Sequence, residues 1–93
     1  MGELLDFVRS ASERFGLPPE ILTALPVTEI TGDTAVMIEQ HRGILAYCDT
    51  TVRIGVNLGA IVVSGKNLTI RVMNRDKIII CGQIQAVNME RLI

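Results

Sequence analysis

The sequence predicts a mainly β domain, a small antiparallel β-sandwich or small barrel of about eight short strands with one or two N-terminal helices. Three observations lead there. Pro26 divides the chain into residues 1–26, with five of the nine Leu but only three β-branched residues, and residues 27–93, with 25 of the 28 Val, Ile and Thr. Leu loses little rotamer freedom in a helix, whereas β-branched side chains suit a pleated surface. Turn residues then punctuate residues 27–93 at roughly 8–12-residue intervals, the spacing of all-β sandwiches and barrels. Finally, 93 residues at 48% apolar and 20% charged suffice for one core, too small to enclose a large active-site pocket.

The elements follow in order. Leu4, Val8, Ala11 and Phe15 recur at helical spacing, with Leu5 and Phe7 beside them. Gly16 suits the C′ position of that helix, and Pro18 and Pro19 suit the first turn of a second one. This second helix covers residues 20–25 and ends before Pro26. The two helices make a helical segment, 1–26, that covers an open face or end of the β domain, 27–93, the alternative being an amphipathic helix that binds membrane or a partner helix. Strands are expected over 27–31, 34–40, 44–47, 51–56, 60–64, 68–73, 77–81 and 84–89. Turns at Gly32-Asp33, His41-Arg42-Gly43, Asp49-Thr50, Gly65-Lys66-Asn67, Asn74-Arg75-Asp76 and Gly82 separate most of them. Gly43, Gly65 and Gly82 are the candidate structural turn glycines. Ile61-Val62-Val63-Ser64-Gly65 and Ile78-Ile79-Ile80-Cys81-Gly82 echo one another 17 residues apart, two strands each ending at a turn or bulge glycine. Consecutive Ile78, Ile79 and Ile80 put apolar groups on both faces, so Ile79 is a candidate partner contact.

Several function classes are excluded or disfavoured. The net charge is −1, and residues 27–93 carry seven basic against six acidic side chains. With Tyr47 the sole aromatic there, no stacking platform for single-stranded nucleic acid exists. One His and two Cys cannot furnish a four-ligand structural zinc site, and no Walker, GxGxxG or GxSxG motif occurs, so no metal or cofactor is expected. Cys48 and Cys81 read as two free thiols of an intracellular protein, a disulfide between them being the alternative. The N-terminus, with Glu3, Asp6 and Arg9 among its apolar residues, does not resemble a signal peptide, and no apolar run is long enough to span a membrane. A soluble cytoplasmic protein is therefore expected, with no direct membrane insertion and no small-molecule substrate. Glu39 and His41, two apart, form the one acid/base candidate pair, but no nucleophile accompanies them; His41 bonded to backbone in a turn is the plainer reading. Glu39, His41 and Arg42 are instead candidate partner contacts. Lys66, Arg71, Arg75 and Lys77 read as a solvated face.

The segment Glu39-Gln40-His41-Arg42-Gly43-Ile44-Leu45, with Tyr47 after it, resembles the E-N-H-R-G-[IV]-L segment of the YabP/YqfC-type sporulation proteins of endospore-forming bacteria. The stretch from Gly59 through Gly65 to Leu68 and Ile70 is similar to that family's G-x-I-x-I-x-G-x-x-L-x-I core. Ile80-Cys81-Gly82-Gln83-Ile84 is similar to its I-x-G-x-I ending, and Leu17-Pro18-Pro19-Glu20-Ile21 to the opening of the YqfC branch. Gln40 stands where the family pattern has Asn, and Cys81 where larger residues are usual. The resemblance implies a non-enzymatic role in endospore formation, in the cytoplasm of the sporulating cell. With the doubly apolar strand, it leads to an interaction or scaffold module that forms a homo-oligomer or binds a sporulation membrane protein. The alternative is a small Sm-like RNA-binding barrel using Arg71, Asn74 and Arg75.

Overall fold

The β-branched residues after Pro26 do become strands. The computed structural model describes residues 25–91, together with Asp6, Ser10 and Gly16. The expected helices over 1–26 lie outside the described residues, apart from these positions and Leu25 and Pro26. Six strands follow: β1 (Val27–Thr31), β2 (Ala35–Glu39), β3 (His41–Tyr47), β4 (Thr51–Val56), β5 (Gly59–Met73) and β6 (Lys77–Arg91). They form one antiparallel sheet in the order β1-β2-β6-β5-β4-β3.

The expected eight strands are thus six, and two separate sandwich sheets are one continuous sheet. Gly65-Lys66-Asn67 and Gly82 do not reverse the chain; they bend it. The reason lies in the two flanking hairpin tips. Gly65 and Leu68 donate their backbone N–H groups to the carbonyls of Thr50 and Asp49, at 3.0 and 2.8 Å. Gly82 and Ile84 donate theirs to Thr34 and Asp33, at 3.1 and 2.7 Å. Held on both sides, β5 and β6 run on for 15 residues each. The price is irregular register: the β5–β6 ladder shifts at Ser64/Gly65, Lys66/Thr69 and Ile70/Val72. Each extra residue sharpens the local twist and bends the pair. At the bend the two backbones cross so closely that a Cβ on Gly65 would lie 1.9 Å from the Gln83 carbonyl oxygen, and one on Gly82 2.6 Å from that of Asn67. No residue but glycine fits either place.

The bend divides the sheet into two halves of four strands. In one, β4 pairs with residues 59–64 of β5, which pair with residues 86–91 of β6, and β3 flanks β4. In the other, β2 pairs with residues 77–81 of β6, which pair with residues 69–73 of β5, and β1 flanks β2. Both halves send side chains into a single cluster: Val52, Ile54, Ile61 and Val63 from the first, Val36, Ile38, Ile78 and Ile80 from the second, and Leu68 at the bend. Each of these is at most 1% exposed. Full burial of one such side chain stabilises the fold by about 1.5–3 kcal/mol before entropy is set against it.

The halves correspond strand for strand, and the sequence echo proves longer than its 61–65 and 78–82 segments. Thr28, Asp33-Thr34, Val36 and Ile38 correspond to Ile44, Asp49-Thr50, Val52 and Ile54, each pair 16 residues apart. The chain passes from one half to the other in a single residue, Gln40, at φ 64°.

Candidate functional site

His41, Arg42 and Gly43 belong to β3 rather than to the expected turn, and the chain changes course at Gln40. The left-handed conformation of Gln40 ends the extended stretch that would have aligned Glu39 with His41. The His41 ring is instead held between backbone groups. Its Nε2–H donates to the Asn74 carbonyl oxygen at 2.7 Å, and its Nδ1 accepts the Gly43 N–H at 3.0 Å. With Nδ1 accepting from the Gly43 N–H, Nε2 is the ring nitrogen that faces the Asn74 carbonyl as a donor. Beside it, the Gln40 N–H donates to the Asp76 carbonyl at 3.1 Å. His41 thus fastens the β2–β3 crossover to the β5–β6 turn, with both ring nitrogens bonded to backbone. It is a backbone-bonded histidine, though in a strand.

The other candidate residues disperse around this seam. Glu39 ends β2 opposite Lys77. Arg42 is exposed and donates to Asn57 Oδ1 at 3.2 Å, across the β4–β5 turn. Ile79 is half-buried between Met37 and Val72, on the face of the sheet away from the core. Gly43 lies within β3 at φ 107°, where the β3–β4 register shifts, so it is a bulge glycine rather than a turn glycine. Gly65 and Gly82 are bend glycines inside strands. Asn74 caps its own turn, its Oδ1 accepting the N–H groups of Asp76 and Lys77, both at 2.9 Å. Its carboxamide oxygen is therefore occupied, while Arg71 and Arg75 are exposed.

Cys48 and Cys81 are both free. At the exposed β3–β4 tip, hydrogen bonding to the Thr50 hydroxyl, and then to the Thr50 and Thr51 backbone, holds the Cys48 thiol below the usual thiol range. Among the described residues no group of His, Cys, Asp and Glu is placed to hold a metal ion. No helix among them is long and apolar enough to cross a membrane.

Two features escape the sequence pattern. The first is an apolar recess of about 320 Å³ at the β4–β5 turn, whose lining includes Leu25, Pro26, Val56, Leu58, Met89 and Arg91. That volume is at the low end for a small-molecule site. The second is the placement of the exposed large apolar side chains. Ile30 lies on β1, Leu45 and Tyr47 on β3, Val72 and Met73 on the last residues of β5, and Met89 on the last residues of β6. Among the described residues, these four stretches each pair on one side only. Every such side chain therefore sits on a free sheet edge, and none on β2 or β4. The signal in the sequence is faint, because an edge strand alternates as a central one does; only the pairing order reveals it.

The strands begin at Val27 and end at Arg91, and the model of the YabP family matches residues 27–91. The chain belongs to the YabP family. The uncharacterized protein YqfC of Bacillus subtilis (strain 168) is 32% identical over 71 residues, 76% of each chain. No solved structure matches. In this YabP-family chain the motif residues fall at the two places where the backbone changes course. Gln40, His41 and Gly43 make the crossover, and Gly65, Leu68, Gly82 and Ile84 make the bend. These motif residues are in this chain the corners of the fold.

Proposed function

We propose that this YabP-family protein is a non-enzymatic interaction module of endospore formation, working in the cytoplasm of the sporulating cell by self-association or by binding a sporulation membrane protein. The observation that carries the reading is the distribution of the exposed large apolar side chains among the described residues, all of them on free sheet edges. Edge strands offer unpaired N–H and C=O groups, and proteins that do not use them shield them with charge, proline or covering elements. Exposed Met, Leu and Tyr on such edges favour strand addition from another chain. The family resemblance supplies the sporulation context. His41 supports the non-enzymatic part of the reading, since both its nitrogens serve the backbone.

The test is complementation in an endospore-forming host lacking the gene, scored as heat-resistant spores. Met89→Lys and Met89→Ser each change an exposed edge side chain and leave the core intact. The expected outcome is fewer spores at unchanged protein level and melting temperature. Wild-type spore counts in both variants would contradict the edge reading.

A further inference from the structure

The four free edges are not equivalent as docking sites for a second copy. A symmetric dimer formed by antiparallel pairing of identical strands places one residue opposite its own copy at the two-fold axis. The identity of that residue differs at each edge. Full overlap of β1 sets Glu29 against Glu29, and full overlap of residues 69–73 sets Arg71 against Arg71, like charges that oppose pairing. On residues 69–73 a register shift between Ile70 and Val72 interrupts the strand as well. β3 would centre on Ile44, but its ladder shifts register on both sides of that residue, and such bulges twist an edge away from a partner.

In residues 85–91 of β6 the central positions carry none of these obstacles, the one register shift falling at Gln85, at the end of the stretch. From Ala86 to Arg91 their ladder with β5 is unbroken, Ser64 facing Ala86 through to Gly59 facing Arg91. The stretch is centred on Asn88, an uncharged, exposed residue able both to donate and to accept. In that register Met89 faces Val87, Glu90 faces Ala86 and Arg91 faces Gln85 of the other copy, so no like charges meet. Glu90 is already paired with Arg53. Met89 and Val87 lie opposite Ile61 and Val63 in the ladder, hence on the core-facing side of the sheet. Met89, at 73%, is the most exposed of the large apolar side chains among the described residues and lines the recess at the β4–β5 turn. Pairing would bring two Met89 and two Val87 side chains together, extending the apolar face across the axis.

We propose that two copies associate through residues 85–91, pairing antiparallel about Asn88 to make one continuous sheet. The proposal rests on the self-association reading above and names its surface. The test is sedimentation of the full chain across a concentration series, with Asn88→Lys and Asn88→Glu alone and mixed. Each variant puts like charges at the axis and should weaken the dimer by about tenfold or more, and their equimolar mixture should recover it to within about threefold. Met89→Ser, a milder change at the same edge, should weaken it too, and Glu29→Lys on β1 should not. Circular dichroism verifies that each variant keeps the fold. A wild-type dimer indifferent to both Asn88 variants would overturn the edge assignment and leave self-association standing. A wild-type monomer at high micromolar concentration would overturn both.

Discussion

The two halves of the sheet follow one scheme with different residues in the corresponding places. In the β3–β4 half, the residue bonded to the hairpin tip beyond the bend glycine is Leu68, 1% exposed and part of the core. In the β1–β2 half it is Ile84, which is only half-buried. Ile44 packs against the core from β3, whereas its counterpart Thr28 brings a hydroxyl that has no hydrogen-bond partner. Tyr47 reaches from β3 to the Leu68 carbonyl at 3.2 Å, while Thr31, its counterpart, accepts only within its own hairpin. The β3–β4 half is thus better fastened to the bend, and the β1–β2 half is the weaker partner in a shared core. Corresponding positions need the same backbone bonds but not the same side chains.

The sharpest way to break this comparison is at the bend. Gly65→Ala and Gly82→Ala should each cost more than about 3 kcal/mol, because the new Cβ meets backbone that cannot withdraw. Gly65→Ala should be the worse, its clash being the closer, and soluble yield with chemical denaturation measures both. At the crossover, His41→Ala removes the bonds to Asn74 and Gly43 and should cost about 1–2 kcal/mol, read as a lower denaturation midpoint at unchanged slope. Thr28→Val tests the halves against each other in the opposite direction. Replacing the unpartnered hydroxyl with a methyl should stabilise the protein by about 1 kcal/mol, whereas Ile44→Thr should destabilise it. The smallest effect is expected at Gln40→Asn. Asn tolerates the left-handed conformation better than Gln, so a gain of roughly 0.5 kcal/mol should appear as a slightly higher melting temperature.

Much of this arrangement was legible in the sequence. The 25 β-branched residues after position 26 mark the sheet, and Gly32-Asp33 and Asn74-Arg75-Asp76 mark real turns. Gly65-Lys66-Asn67 was legible only as a place where the chain does something other than extend. A glycine followed by an Asn at φ 53° serves a reversal and a bulged bend equally well, and the difference is made by the Asp49 and Thr50 carbonyls, distant in sequence. Merging eight expected strands into six is the direct result. His41 was legible as a histidine bonded to backbone, but its partner Asn74 is 33 residues away and no local pattern points to it. The apolar edges were hidden for the same reason, since burial on one side depends on which strands become neighbours.

The corners of this sheet are fixed by backbone bonds, and its edge at residues 85–91 is the one proposed to take a second copy. Hydrogen–deuterium exchange of the full chain at low and high protein concentration tests that most directly. Protection of amides within 85–91 should rise with concentration, while that within 27–31 and 69–73 stays constant. A rise confined to another edge, or no concentration dependence anywhere, would contradict it.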